Sequence, residues 1–357
     1  MKRSLGLDLL RGLAVILVLF RHFEISSFLT KIGWMGVDLF FVLSGFLVSG
    51  LLFRELSNTG KINISRFLVR RGLKIYPSFY FFLIVSTFLI PFNSDNQSKY
   101  LHEVLFLQSY LPRIWDHTWS LSVEEHFYLL LIIIVPALNL IKTYSFSATF
   151  QTTCLAIILI SLSLRLYSCS KGNVYYLYYQ THFRLDSFAF GMLLSFWYSF
   201  KREFVNRVLK QYKIFILALS IVCFLPFLYF PVNSVYISGP GFSLLMIVFG
   251  VLVLYLHDLK FDKLSNLFLT PLFRMIGFIG LYSYNIYLWH LPVAKHMLPY
   301  IQTKFTQNLV FLFIIYFIAS IFLGWFISVT LEKRILNFRN RYYPNSGEKK
   351  HYNNSNG

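Results

Sequence analysis

Charge is scarce in this chain, and negative charge scarcer still: 33 residues are Lys or Arg, only 15 are Asp or Glu, and 56% of the 357 are hydrophobic. The apolar residues come in long runs that no soluble core could absorb. Cysteine is nearly missing. Cys154, Cys169 and Cys223 lie far apart, in or beside apolar runs and without ligand-type spacing, so neither a disulfide nor a metal site is expected. There is no internal repeat, no evident pair of Gly/Pro-broken helices in matching halves, and no polar stretch long enough for a large soluble domain. At roughly 20 residues per crossing, about ten spans leave only short loops, one longer loop and a tail.

What is present is therefore read as an all-α polytopic membrane protein of about ten transmembrane helices. The N-terminus imitates a secretory leader, with Lys2 and Arg3 ahead of an apolar stretch. Arg11 interrupts that stretch and no small-residue cleavage site follows, so 7–23 is taken as a retained first helix. Further runs fall at 36–53, 73–91, 121–140, 149–167, 184–200, 213–230, 239–256, 275–297 and 308–331. With both termini cytoplasmic, twenty-three of the 33 basic residues fall on inside segments and six on outside ones, as the positive-inside rule requires. That bias also accounts for most of the net charge of +18, which carries no nucleic-acid reading. The expected organisation is a membrane domain over 1–335 and a polar, disordered cytoplasmic tail over 336–357.

Ionisable groups inside apolar spans are costly, so function is sought there first. Arg11 and His22 are eleven residues apart and return to nearly the same helix face, about 16 Å apart along the axis. Asp8 precedes Arg11 by three and can partner it. Snorkelling of Arg11 and an interfacial His22 remain the plain alternative. Arg66, Arg70, Arg71 and Lys74 crowd the inner entry to the third span. They serve either as an anchor on anionic lipid headgroups or as an anion site for a phosphorylated cytosolic donor.

Glu124 and Glu125 stand at the outer mouth of the fourth span. They either favour the helix dipole or set a carboxylate at the depth of His22. Arg184 and Asp186 open the sixth span and can pair with each other or with Glu124. Ser283, Tyr287 and His290 form one polar stripe in the ninth span, where a hydrogen-bonded core histidine is the default for His290. The outer run Tyr175-Tyr176-Leu177-Tyr178-Tyr179 suits either sugar stacking or an interfacial aromatic belt.

Several pieces in order resemble the acyltransferase-3 family of bacterial integral membrane acyltransferases, over nearly the whole chain from Leu7 to Glu332. They are Leu-Asp-Leu-Leu-Arg11-Gly-Leu-Ala with His22; Gly36-Val-Asp38 through Ser44-Gly45-Phe; Arg70-Arg71 to Tyr76-Pro77; and Trp119 to Tyr128. Arg184-Leu-Asp186 with Gly191, Ser283-Tyr284 through His290, and Glu332 follow. Lys74 stands where the family usually has arginine and His126 where it usually has glutamine. No extracellular esterase-like domain follows the last helix, which points to the shorter members that resemble O-acetyltransferases of O-antigen, exopolysaccharide or capsule.

The resemblance implies a bacterial inner-membrane O-acyltransferase. Acetyl-CoA would be its co-substrate and acyl donor, with no permanently bound cofactor and no metal. Its partners would be membrane lipids and a carbohydrate acceptor, lipid-linked or free. Arg66, Arg70, Arg71 and Lys74 would hold the coenzyme A phosphates, while the acyl chain reaches past Arg11. His22 would act as the base, since an imidazole near pKa 6.5 suits deprotonation of a sugar hydroxyl, or would carry the acyl group covalently, with Glu124 orienting or charge-stabilising it. Asp8, Asp38, Ser44, Trp119, Arg184, Asp186, Tyr287 and His290 are expected to support the site or substrate. The outer loops 92–118 and 168–183 are the expected seat of acceptor selectivity. A transporter or flippase would use similar paired intramembrane charges, but it leaves the ordered motifs unexplained.

Overall fold

In hydrocarbon every backbone N–H and C=O must find its partner within the chain. The computed structural model, which describes residues 4–140, 145–257 and 270–344, meets that demand with helices and no strand among the described residues. They are α1 (Leu5–Arg21), α2 (Ser27–Ile32), α3 (Met35–Thr59), α4 (Ile64–Leu89), α5 (Ser94–Val104) and α6 (Trp119–Leu140). Then come α7 (Ser145–Ser170), α8 (Leu185–Phe200), α9 (Arg202–Gln211), α10 (Lys213–Phe224), α11 (Pro226–Tyr229) and α12 (Phe242–His257). The last are α13 (Thr270–Leu281), α14 (Ser283–Pro292), α15 (Leu298–Lys304), α16 (Leu309–Ile327) and α17 (Lys333–Tyr342).

Every apolar run singled out in the sequence lies largely on helix, but among the described residues only five helical segments are long and apolar enough to cross a membrane: Ser27–Thr59, Ile64–Leu89, Phe146–Ser170, Ile237–His257 and Leu309–Tyr342. A sixth is added if α9 and the segment Lys213–Tyr229, bent by 80°, count as one. Short or broken members account for most of the difference, although α6, with 22 residues, also stands outside the five. α1 has 17 residues and α8 has 16, both under the roughly 20 of a full crossing. The run at 275–297 is broken at Tyr282, where the backbone leaves helical geometry, and beyond Pro292 it continues as a π-helical turn, 293–297. The chain is a multi-pass membrane protein with an inner and an outer set of helices. α16 turns Phe311, Ile314, Ile318, Phe322 and Phe326 outward along one stripe, whereas α3 is mostly enclosed.

Lipid tails are as apolar as leucine, so hydrophobicity does not hold transmembrane helices together; close backbone approach does. α3 meets α8 at Gly45 and Gly191, where a Cβ would stand 2.2 Å from the Phe188 carbonyl oxygen and 2.3 Å from that of Val42. α1 meets α13 in the same way at Gly12 and Gly280, whose Cβ atoms would lie 2.0 Å and 1.8 Å from the carbonyl oxygens of Ile276 and Asp8.

Two boundaries differ from the sequence reading in ways that matter for the site. α4 begins nine residues before the apolar run, because the Asn63 side chain caps it by accepting from the Arg66 N–H at 2.8 Å. The basic entry is thereby helical, with Arg66, Arg70 and Lys74 at successive turns and Arg71 beside that stripe. At the other end, 336–342 of the expected tail are helical within α17; 345–357 lie outside the described residues.

Candidate functional site

α1, α3, α4, α6, α13 and α14 enclose a cavity of about 180 Å³, room for about six waters. Phe40, Phe41, Leu43, Leu47 and Val48 of α3 form its apolar wall, and Arg11, Arg71, Lys74 and Glu124 bring charge to it. Arg11 pairs with Asp8 at 3.2 Å, as the spacing of three predicts.

Glu124 is not beside His22. It lies in the second turn of α6 and accepts on Oε1 from Arg71 Nη2 at 2.7 Å, from Ser44 Oγ at 2.7 Å and from the Tyr128 hydroxyl. The sequence placed it at the outer mouth because the apolar run starts at 121. The helix in fact starts at Trp119, which carries the carboxylate inward to the level of Arg71. The Arg71 guanidinium also stacks on Tyr128, 4.1 Å from the ring centre, so its plane is held from two sides. Glu125 turns elsewhere and accepts from Tyr76.

The four cations of α4 do not act as one cluster. Arg66 pairs with Glu55, and Arg70 donates to the Tyr343 carbonyl. Lys74 pairs with Glu332, whose other oxygen accepts from Asn285 Nδ2 at 2.7 Å and from Ser328 Oγ at 3.3 Å. Only Arg71 and Lys74 of the four line the cavity. Glu332 sits in a π-helical turn, 328–332, a geometry frequent at functional sites.

His22 follows the last residue of α1, and its Nδ1 lies 3.0 Å from the Val18 carbonyl and 3.1 Å from His290 Nε2. His290 is fully buried, with Nδ1 2.6 Å from the Tyr287 carbonyl. A third imidazole, His117, stands edge-on to His290 with ring centres 4.9 Å apart, and its Nε2 is 3.1 Å from the Leu288 carbonyl. Burial pushes His117 down to about 3 and keeps it neutral. His117 went unremarked in the sequence because it lies in a loop rather than on an apolar helix face. Its place beside the Trp119 motif was the available signal.

Tyr287 joins the two regions. It lines the cavity, its hydroxyl donates to the His117 carbonyl at 2.7 Å and lies 2.6 Å from Ser120 Oγ, and its ring centre is 5.7 Å from that of His290. Among the described residues no three His, Cys, Asp or Glu side chains are arranged to hold a metal ion.

Arg184 and Asp186 pair neither with each other nor with Glu124. Arg184 bonds Asp38 of α3 and lies 3.6 Å over the Phe242 ring, while Asp186 bonds Arg165 of α7 at 2.6 Å. All four side chains are fully enclosed. One residue separates Arg184 from Asp186, so the two point to different neighbours. Trp119 is buried edge-on to Phe41 and packs against Tyr178. Tyr175 and Tyr176 of the outer run are exposed.

The acyltransferase family described as "Acyltransferase domain" matches residues 4–329. A protein of Staphylococcus aureus strain COL, provisionally named an O-acetyltransferase, is 30% identical over 318 residues, covering 83% of this chain and 51% of its own length. The peptidoglycan O-acetyltransferase OatA of Listeria monocytogenes is 29% identical over 326 residues, covering 83% and 50%. The chain spans about half the length of the curated relatives it matches. No solved structure matches it.

Proposed function

This chain belongs to the acyltransferase-3 family, and from that premise we propose that it is an O-acyltransferase of the bacterial cytoplasmic membrane. It moves an acetyl group from acetyl-CoA to a hydroxyl of a cell-surface carbohydrate such as O-antigen or exopolysaccharide. The observation that carries this reading is the unbroken run of side chains from the cationic cavity through Ser120 and Tyr287 to His290 and His22. A cytosolic donor and an external acceptor need such a path. In this reading α1, α6, α8, α10 and the α13–α14 pair complete ten crossings, and both termini are cytoplasmic.

The cavity takes a length of the donor's thiol arm with the acetyl thioester at its Tyr287 end, next to the His290–His22 pair, while the nucleotide stays outside. Arg71 and Lys74 carry charge at the wall, with Arg11 opposite and Arg66 and Arg70 one turn nearer the start of α4. Guanidinium forks match phosphate oxygens. Glu124, itself held by the Ser44 hydroxyl, holds Arg71 in place, so the carboxylate serves the donor side and not the imidazole. Asp8 holds Arg11, and the Asp38–Arg184 and Arg165–Asp186 pairs lock the surrounding helices.

At the other end His22 removes the proton of the acceptor hydroxyl as its oxygen attacks the thioester carbonyl. The carbon–sulfur bond breaks, and the departing thiolate takes the proton from the imidazolium, giving an acetyl ester and free coenzyme A. The name of the Listeria relative makes peptidoglycan a second acceptor to examine.

The test is O-acetyl content, by NMR, of surface polysaccharide and peptidoglycan from cells expressing the wild type, His22→Ala and Arg71→Ala at matched membrane abundance. A new O-acetyl signal that both variants lose supports the reading and names the polymer. No acetylation by the wild type, with polymer export still dependent on the protein, would replace it with transport.

A further inference from the structure

Two histidines in contact leave open which nitrogen carries the proton, and here the surroundings decide it. We infer that His290 is a positioning residue that, together with the Val18 carbonyl, fixes the tautomer of His22 and leaves His22 Nε2 as the basic nitrogen. The inference rests on the reading of His22 as the base.

The Tyr287 carbonyl, 2.6 Å from His290 Nδ1, can only accept, so that nitrogen bears the hydrogen. A neutral imidazole carries one N–H, and His290 Nε2 therefore presents a lone pair. That lone pair faces His22 Nδ1 at 3.1 Å, and the second neighbour of the same nitrogen, the Val18 carbonyl at 3.0 Å, is also an acceptor. Both contacts require a proton on His22 Nδ1. The lone pair of His22 is thus confined to Nε2, which has no hydrogen-bond partner among the described residues.

His290 works differently from a carboxylate. When His22 becomes imidazolium, the neutral Nε2 of His290 still accepts from it, so the charge is stabilised without a permanent anion beside the acceptor. His117 keeps His290 in register, edge-on at 4.9 Å, with its own Nε2–H spent on the Leu288 carbonyl. The charged groups acting on His22 are Arg21 on its own helix, Asp116 before α6 and Lys295 after α14. The last two pair at 2.8 Å and are untouched by a change at His290.

The test uses the full chain in lipid nanodiscs with ¹⁵N-histidine, comparing the wild type with His290→Gln and His290→Phe, and His22→Ala to assign the His22 signal. A glutamine Oε1 can stand where Nε2 stood and accept the same hydrogen; phenylalanine fills the space and accepts nothing. The expected result is a single Nδ1–H form of His22 in the wild type and His290→Gln, and a mixture of tautomers in His290→Phe. In cells, O-acetyl content is expected to fall about tenfold with His290→Phe and to be largely kept with His290→Gln. That loss is well short of the ~10⁴ that a wrong tautomer costs a serine protease, because Val18 still holds one acceptor in place. An Nε2–H form of His22 in the wild type, or an unchanged tautomer in His290→Phe, would overturn the inference. The tautomer is read without any acceptor, so loss of the acyltransferase reading would appear separately, as O-acetylation that survives His22→Ala.

Discussion

Arg165 is the best place to challenge the buried electrostatics that hold this bundle together. Its guanidinium donates to Asp186 Oδ2 at 2.6 Å, Gly239 O at 2.9 Å, Ser243 Oγ at 2.5 Å and the Phe183 carbonyl. One side chain on α7 thereby ties down α8, α12 and the turns before them. Arg165→Met keeps much of the volume and removes all five donors. Asp186 would then be left, fully enclosed, with only Ser243 Oγ at 3.0 Å and the Ser187 N–H at 2.9 Å. Breaking a buried pair by removing one partner costs about 3–5 kcal/mol. At about 2 °C per kcal/mol for a domain of this size, the midpoint should drop by about 6–10 °C. The assay is size-exclusion of detergent-solubilised protein after a series of heating steps. Neutralising the partner as well, in Arg165→Met/Asp186→Asn, should recover about half of the loss, because most of the cost is the stranded carboxylate. A single variant within about 1 °C of wild type, or a double variant worse than the two singles added, would refute the reasoning.

Gly280→Ala should lower membrane abundance sharply, since its Cβ would stand 1.8 Å from the Asp8 carbonyl oxygen; overpacking alone costs about 1–3 kcal/mol, and backbone cannot yield as a side chain would. Quantitative blotting of membranes checks this, and normal abundance would contradict the α1–α13 contact. Arg71→Lys keeps the charge but loses the planar stack on Tyr128 and the Nη2 bond to Glu124, so binding of coenzyme A, followed by thermal-shift titration, should weaken about tenfold. Unchanged binding would remove Arg71 from the donor site.

Glu103 of α5, outside the spans, accepts from the Thr118 hydroxyl at 2.7 Å and the Ile114 and Trp115 N–H groups, and burial pushes its carboxyl up to about 7. Because that value lies above the unfolded one of 4.5, the folded state binds more protons between the two. Stability should therefore be full below about pH 4.5 and fall by about 3 kcal/mol as pH rises to about 7. Glu103→Gln should flatten that slope in melting curves taken across the range, and an unaltered slope would show that another group sets it.

Helices and their approximate places were legible because hydropathy is a local property, read residue by residue along the chain. The Asp8–Arg11 pair was legible for the same reason, since spacing on one helix fixes which side chains meet. Family motifs marked Arg71, Glu124, His22 and His290 as worth attention. They did not say that Glu124 belongs with Arg71 and Ser44, that Lys74 belongs with Glu332, or that Arg184 and Asp186 each reach past the other to Asp38 and Arg165. Those partnerships depend on how deep each helix starts and how it is rotated. Both are set by caps such as Asn63 and by glycine contacts such as Gly45 with Phe188 and Gly280 with Asp8, where backbones from distant parts of the chain come within van der Waals range. His117 shows the same limit: a loop histidine has no helix face to place it, and it becomes part of the histidine stack only when α6 and α14 pack together.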